Sequence, residues 1–469
     1  MSRVVVVGGG ISGLAAAHAL ATGPNPPQIT VLEGSPRLGG KLAGDEIEGI
    51  PVDLGAESVL ARRPEAVELI KVVGLGDDIV HPATTSAGLW IGDRIRAIPP
   101  TVMGVPMDPA ATADVLGSAG AEAVAHEAEL PAPALEEDVA IGRFVASRMG
   151  PAVTDKLIDP LLGGVYAGRA EEISLAAAVP ELYAKLRTAP SLLAATAELR
   201  EAGQRRAGVP VFAGIVGGIN RLIAALEKDL TDRGVDIRRQ LTVRRITRTP
   251  DGYSLQAGPV PAPTVIDADA VIVAVPAAPA ARMLADLVPA ASTELATIEY
   301  ASMAIVTLAV RKQDWPETAV GSGFLVPSVE GRTIKASTFS HAKWEWSGEA
   351  GGELAVLRCS VGRLGEEYVL QRSDEELVAL ATADLRRAVG LQAPVVGSLV
   401  TRWGGGLPQY AVGHLDRVDR VEAAVTAEPG LAVCGAAYRG VGIAACVASG
   451  GKAATRVQAY LASLETMAP

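Results

Sequence analysis

The sequence predicts an α/β fold in three parts: a parallel sheet assembled from discontinuous segments, an antiparallel sheet, and an inserted helical region. Three observations carry this. A valine run closes on a glycine-rich turn at the start of the chain, and a second strand–glycine turn–helix unit stands near its end. Between them the pattern switches from helical to alternating. Val4-Val5-Val6-Val7 reads as a strand buried on both faces, because β-branched side chains suit the pleat and nothing polar interrupts them. Gly8, Gly9, Gly10, Ile11, Ser12 and Gly13 follow, with Gly8, Gly10 and Gly13 fitting G-x-G-x-x-G. The first glycine permits a tight turn, the second lets backbone approach a pyrophosphate, and the third lets the next helix pack closely on the sheet. Residues 11–21, rich in Ala and Leu, read as that helix, its first N–H groups aimed at bound phosphates. A second strand over 28–32 ends at Glu33, twenty positions beyond Gly13, where a carboxylate accepts hydrogen bonds from an adenosine ribose. These are the marks of a Rossmann-like dinucleotide site.

The residues after Glu33 choose the dinucleotide. Gly34, Arg37, Gly39, Gly40, Lys41 and Leu42 run straight out of the second strand, and Gly55-Ala56-Glu57-Ser58 follows soon after. The glycine pair allows backbone to wrap a cofactor, and Arg37 and Lys41 can reach its phosphates. This E-x-x-x-R-x-G-G arrangement resembles the FAD-binding start of the large flavin family that contains amine oxidases, phytoene desaturases and protoporphyrinogen oxidases. The resemblance implies FAD as cofactor, with these residues as its contacts. A nicotinamide dehydrogenase would not need the second glycine signature.

Bulk properties exclude several other classes. At 469 residues the chain can hold two or three domains and a large core. An apolar share of 49% describes a globular protein. No run of eighteen apolar residues is present, so no transmembrane segment is expected. Met1-Ser2-Arg3 leads directly into the first strand, which is expected to leave no room for a targeting peptide. Cys359, Cys434 and Cys446 lack C-x-x-C spacing, and the five histidines are scattered, so reduced thiols in a cytoplasmic protein and no metal site are expected. With 42 basic against 53 acidic residues the net charge of −11 opposes nucleic-acid binding.

Taken in order, residues 64–73 read as a helix stopped by Gly74, and 88–99 as a hairpin about Gly92-Asp93. Residues 110–206 are Ala/Leu-rich and helical, opening with an acidic, proline-containing stretch over 120–138 that reads as a mobile connection. A helix over 141–149 precedes Gly163-Gly164-Val165-Tyr166-Ala167-Gly168. Gly217-Gly218 opens a helix through 230, and strands follow at 235–237, 241–246 and 270–276. From 290 to 395 the pattern alternates, with strands expected at 304–310, 323–327, 333–339 and 354–360 and an amphipathic helix at 374–389. Leu431 to Ile443 (L-A-V-C-G-A-A-Y-R-G-V-G-I) is again strand and glycine turn, followed by an Ala-rich helix through 461. The positive end of that helix would favour an anionic reduced flavin. The expected division is 1–75, 209–288 and 396–469 for an FAD-binding domain, 76–208 for a mainly helical insertion lining a substrate pocket, and 289–395 for a substrate-binding antiparallel sheet.

Three segments narrow the resemblance. Gly164-Val165-Tyr166-Ala167-Gly168 between inserted helices, Arg402-Trp403 followed by Pro408-Gln409-Tyr410, and Gly435-Ala436-Ala437-Tyr438-Arg439-Gly440-Val441-Gly442-Ile443 all resemble the protoporphyrinogen/coproporphyrinogen oxidases. The resemblance implies that Gly164 presents its backbone to a tetrapyrrole, with Val165, Tyr166 and Leu325 beside it. Leu325 and the strand over 335–340 would clamp the macrocycle. It also implies that Val243 meets the adenine through its backbone, and that Trp403, Gly435, Val441, Gly442 and Ile443 lie near the flavin. The implied reaction is oxidation of a porphyrinogen in three two-electron steps, with O2 as acceptor and H2O2 as product, and the product passing to a ferrochelatase. No Ser/His/Asp arrangement or carboxylate pair stands out, which fits a cofactor that carries the electron chemistry. Arg94, Arg96, Arg169, Lys335 and Lys343 are the cations placed near the pocket for the substrate's carboxylates.

Eukaryotic-type protoporphyrinogen oxidases carry an arginine just before the hairpin strand, where this chain has Ala87. That departure favours the soluble bacterial branch, which resembles coproporphyrinogen III oxidases, as a monomer or homodimer. Protoporphyrinogen IX remains the alternative substrate, and an amine oxidase or carotenoid desaturase the alternative within the flavin family. A non-enzymatic escort protein of the same fold is opposed by the intact Glu33, Arg37-x-Gly39-Gly40 and the C-terminal glycine turn.

Overall fold

The structure, a computed structural model, describes residues 1–133, 135–204, 208 and 210–467. The valine run Arg3–Val7 is the central strand of a five-stranded parallel sheet. Gln28–Leu32 and Asp236–Arg238 lie to one side of it, and Ala270–Val273 and Leu431–Val433 to the other. Val4 pairs with Ile29 on one flank and Ala270 on the other. The chain thus leaves the central strand in both directions, and the carboxyl ends of all five strands share one edge. A crevice at such a reversal of strand order is where open α/β sheets bind ligands.

Both faces of the central strand are buried, as four consecutive β-branched residues require. Val4 and Val6 pack under the helices Ile11–Ala21, Arg221–Asp232 and Ile443–Met467. Val5 and Val7 pack under a three-stranded antiparallel layer (Val243–Thr249, Gly252–Ala257, Thr264–Ala268) and the helices Ala277–Leu284, Pro289–Ala296 and His414–Thr426. The first and last helices touch closely. A Cβ on Gly450 would lie 2.3 Å from the Ser12 carbonyl oxygen and 3.0 Å from Ala16 N, so only glycine allows this approach. Gly13 plays the matching role toward the sheet, where a Cβ would sit 1.9 Å from Gly8 O.

The second sheet has seven strands, in the order Val395–Pro408, Tyr300–Arg311, Leu354–Val361, Ile334–Thr338, Gly323–Leu325, Ala87–Ile91 and Arg94–Ala97. Its pairs are antiparallel except Gly323–Leu325 with Ala87–Ile91. The helix Asp374–Val389 covers one face and opens with a capping box between Ser373 and Glu376. Three strands join this sheet from outside the segment expected to form it. The hairpin of 88–99 was expected with the helical insertion, yet it extends the sheet because its strand is apolar on both faces. Trp90 packs into the sheet core, while Leu89 and Ile91 pack into the helical core. Residues 396–408, expected with the FAD-binding portion, pair along Tyr300–Arg311.

Two local expectations are corrected. The helix Pro64–Ile70 gives way to a π turn at Lys71–Leu75, with Gly74 at a φ of 85° inside it rather than after it. Outside residue 134, which lies beyond the described residues, the stretch of 120–138 is anchored rather than loose. The helix Ala113–His126 ends inside it, and Glu127, next in the chain, is fully buried. Its Oε1 accepts from Leu192 N at 2.7 Å and Arg148 Nε at 2.6 Å, and its Oε2 from Leu193 N at 2.9 Å. Asp138 likewise accepts from Ala176 N and Gly413 N. Acidity reads as solvation in a sequence, but these carboxylates satisfy backbone donors, two of them at the start of the helix Leu192–Gln204.

Gly450 and Gly451, adjacent in the helix Ile443–Met467, differ sharply in their surroundings, since a Cβ on Gly451 would meet nothing within 4 Å. Gly450→Ala is expected to destabilise the protein by about 1–3 kcal/mol through overpacking. Gly451→Ala should stabilise it by about 0.5–1 kcal/mol through helix propensity. Urea unfolding midpoints of the two variants would move in opposite directions.

Candidate active site

The cradle starts at the carboxyl edge of the parallel sheet. Gly8 has a φ of 112°, and a Cβ there would lie 2.5 Å from Ala274 O, so the turn needs glycine. Gly10 begins the first helix without any side-chain cap, which leaves the N–H groups of the first turn for a ligand. A Cβ on Gly10 would meet nothing within 4 Å: the space beside it is open. Glu33 stands at the lip, its Oε2 accepting from Gly9 N at 2.7 Å and its Oε1 from Ser35 N at 2.8 Å. Each oxygen keeps a lone pair for a further donor. Gly39 N donates to Gly9 O at 2.8 Å, which brings the Gly39-Gly40 pair against the first turn. Leu42 is buried, and burial pushes the Lys41 amine below its ordinary value despite the nearby Cys446 thiol. Gly34 and Val243 are neighbours here, because Leu241 N donates to Glu33 O and a Cβ on Gly34 would touch Thr242.

The second wall comes from 53–58 and the seven-stranded sheet. Trp403 Nε1 donates to Leu54 O at 2.8 Å, and the Arg37 guanidinium lies 5.6 Å from the Trp403 ring centre. Gly55 is pinned between Lys41 O and Trp403, with Ala56 exposed and Ser58 half-buried after it. Glu57 was expected to contact the cofactor and Lys343 the substrate. The structure pairs them with each other: Glu57 Oε1 accepts from Lys343 Nζ and Oε2 from Arg358 Nη1 at 2.7 Å. Arg358 Nη2 also donates to Gly55 O at 2.5 Å. Burial pushes the Glu57 carboxyl up, but Lys343 and Arg358 outweigh it and hold the group at about 2.

The C-terminal turn closes the crevice. Gly435 has a φ of 138°, and its N–H donates to Ser449 Oγ at 3.1 Å. Gly442 is exposed, with nothing within 4 Å of a Cβ, and Ile443 is buried at the start of the last helix. Val441 packs against the helical core instead. Tyr410 fixes this turn from the other side. Its hydroxyl donates to Ala436 O at 2.7 Å and accepts from Gly440 N at 2.8 Å. Its ring lies 5.4 Å from Tyr166, and His414 stacks on it at 3.9 Å. Burial pushes the His414 imidazole down to about 4, so it is neutral at ordinary pH, and its Nε2 meets Tyr438 O at 2.8 Å.

Tyr166 belongs to the helix Asp159–Tyr166, which ends at left-handed Ala167. Gln409 Nε2 donates to Tyr166 O at 2.8 Å, so the neighbouring residues Gln409 and Tyr410 hold the G-V-Y-A-G segment and the C-terminal turn at once. Gly164 and Val165 are exposed, and a Cβ on Gly164 would lie 3.8 Å from Leu325. Lys335 is buried beneath this turn, with Nζ 3.4 Å from Gly163 O. The other cations lie elsewhere. Arg94 and Arg96 pair with Asp114 on the surface, and exposed Arg169 sits against Gly365.

Arg358, Gln409 and the anchoring role of Tyr410 were not read as site features from the sequence. A signal for Arg358 was present: a lone charge inside the apolar run of Leu354–Val361.

Arg358→Met leaves Glu57 with one cation and is expected to cost about 3–5 kcal/mol at neutral pH. The folded Glu57 carboxyl is more acidic than its ordinary value of 4.5, so its contribution is complete above that value and disappears as pH falls toward 2. Glu57→Gln should therefore flatten the fall in unfolding midpoint between pH 4.5 and 2, as read by urea titrations across that range.

The open space beside Gly10, the uncapped helix start, the lone pairs on Glu33 and the exposed Gly442 fit a bound dinucleotide. The chain matches the family described as flavin containing amine oxidoreductase over residues 11–458. It is 37% identical over 459 residues to the coproporphyrinogen III oxidase of Mycobacterium tuberculosis, covering 96% of each chain. To the protoporphyrinogen oxidase of Bos taurus it is 30% identical over 488 residues, covering 97% of this chain and 98% of that one. The crystal structure of a protein from Exiguobacterium sp. 255-15 superposes with a TM-score of 0.85 at 32% identity, over 98% of this chain and 99% of the other. The chain belongs to the flavin containing amine oxidoreductase family and carries its FAD-binding fold.

Proposed function

We propose that the chain is an FAD-dependent coproporphyrinogen III oxidase of heme biosynthesis, forming coproporphyrin III in three two-electron steps, with O2 reduced to H2O2. The observation that carries this reading is the joint made by Gln409 and Tyr410, which ties the exposed Gly164-Val165 turn to the C-terminal glycine turn. A flat ring resting on the first is thereby held against whatever rests on the second. The full-length likeness to the M. tuberculosis enzyme supports the substrate.

FAD, when bound, supplies the two-electron acceptor at each step. The chain's own residues do the rest. Gly8 and Gly9 shape the turn, with their N–H groups held by Leu32 O and Glu33, while Gly10, Ile11, Ser12 and Gly13 receive the pyrophosphate with backbone donors and Glu33 accepts from the ribose. The helix Ile443–Met467 turns its positive end toward the crevice and favours negative charge developing there. Gly164, Val165 and Leu325 offer a mostly apolar surface for the macrocycle, with Tyr166 buried behind them, and Val441 helps exclude water. His414 and Tyr410 stay neutral at working pH, so they orient rather than exchange protons.

Cytoplasmic location, O2 as acceptor, and delivery of the product to a ferrochelatase belong to the same proposal. No helix among the described residues is long and apolar enough to cross a membrane. The 30% likeness to the bovine enzyme makes protoporphyrinogen IX the second substrate to test.

The purified chain is expected to be yellow and to generate porphyrin fluorescence faster from coproporphyrinogen III than from protoporphyrinogen IX. The reverse order would replace the substrate, and no turnover of either would remove the reading. Gly10→Leu, whose Cβ meets no protein atom within 4 Å, should fill the cradle and give a chain with unchanged circular dichroism and no flavin absorbance.

A further inference from the structure

We propose that Lys335 seats one carboxylate of the substrate, beneath the exposed turn that ends the helix Asp159–Tyr166. The inference rests on the porphyrinogen reading above and assigns one of the substrate's acidic arms to a residue. Lys335 is the extra residue of a β-bulge: Ile334 pairs with Val361 and Ala336 with Ser360, which are successive positions on the neighbouring strand. A bulge re-aims a side chain out of the ladder. Here it sends the amine against the helix, where it meets Gly163 O at 3.4 Å and Met303 Sδ at 4.0 Å.

Two cations are buried among the described residues. Arg358 is paired with Glu57, whereas Lys335 has no carboxylate partner. A buried ammonium with one long hydrogen bond and a thioether is short of acceptors. The charged and titratable groups around it do not fill the gap. Arg363 repels it and is held by Val326 O at 3.1 Å and Glu366 at 3.4 Å. Asp159, on the facing helix, accepts from Ser328 N at 3.3 Å, and the Tyr166 hydroxyl stays protonated to about 12. The missing element is an anion, and Gly164 and Val165, immediately after Gly163, are open to solvent. A tetrapyrrole with propionate arms brings such an anion to this place.

Burial, reinforced by Arg363, pushes the Lys335 amine down to about 7. A carboxylate arriving beside it favours the charged form, so binding takes up a proton near neutral pH. The sign follows: affinity is greatest below about 7 and weakens as pH rises above it.

The test uses the FAD-loaded full chain and titrates coproporphyrin III by fluorescence at pH 6 and pH 8.5. Wild type is expected to bind about tenfold more weakly at the higher pH. Lys335→Met should bind weakly at both, and Lys335→Arg, charged throughout, should bind tightly at both. The tetramethyl ester of the same porphyrin should respond to neither pH nor substitution. FAD content and melting temperature identify any variant that fails to fold, and Lys335→Arg then carries the comparison. Equal affinity and equal pH response in wild type and Lys335→Met would overturn the lysine assignment while leaving the porphyrinogen reading intact. Wild type that binds no tetrapyrrole would overturn both.

Discussion

The whole arrangement depends on one close contact between the two ends of the chain. The first helix and the last lie so near that Gly450 touches the backbone of Ser12 and Ala16. Their strands, Arg3–Val7 and Leu431–Val433, flank Ala270–Val273 in the same parallel sheet. Parallel strands followed by helices bring both helix N-termini to the same edge, so two positive ends face one crevice. Only glycine permits the approach, and the two helix ends favour negative charge between them. A pyrophosphate-bearing flavin nucleotide meets that demand.

A second constraint joins the cradle to the antiparallel sheet. Glu57 lies between Lys343 and Arg358, and Arg358 also holds Gly55. Glu57 and Arg358 lie 301 positions apart in the chain, so the loop over 53–58 is fixed by residues that arrive much later. Gln409 and Tyr410 make the equivalent joint toward the helical region. The site is therefore a meeting of three bodies of structure, each with its own core, and polar contacts set their relative placement. Hydrophobic packing within each core cannot specify that placement, because it is not directional. The hydrogen bonds and ion pairs can.

How much of this was legible in the sequence follows from range. Local signals read well: the buried valine run, the glycine turn, Glu33, and the capped helix Asp374–Val389 each stand at or near their expected bounds. Elements whose identity depends on distant partners read poorly. The strand Ala87–Ile91 has apolar residues on both faces, which local pattern detects, but nothing local says that its partner is Gly323–Leu325. The acidic stretch around Glu127 misled because a carboxylate looks solvated until the backbone N–H groups of Leu192 and Leu193 are placed against it. Lys343 and Glu57 were each assigned outward, since their pairing spans most of the chain. Lys335 was visible as a cation in an apolar strand, but the bulge that turns it inward is set by its register with Leu354–Val361.

The central claim is that both termini build one FAD cradle. The most direct measurement is the flavin stoichiometry of the purified chain, from its visible absorbance and the dinucleotide released on denaturation, compared with a chain in which Gly442 is replaced by leucine. The expected result is one FAD per wild-type chain and none held by the folded variant, although residue 442 lies more than four hundred positions from the first glycine turn. A colourless wild type that refuses added FAD, or a variant that retains full flavin, would contradict it.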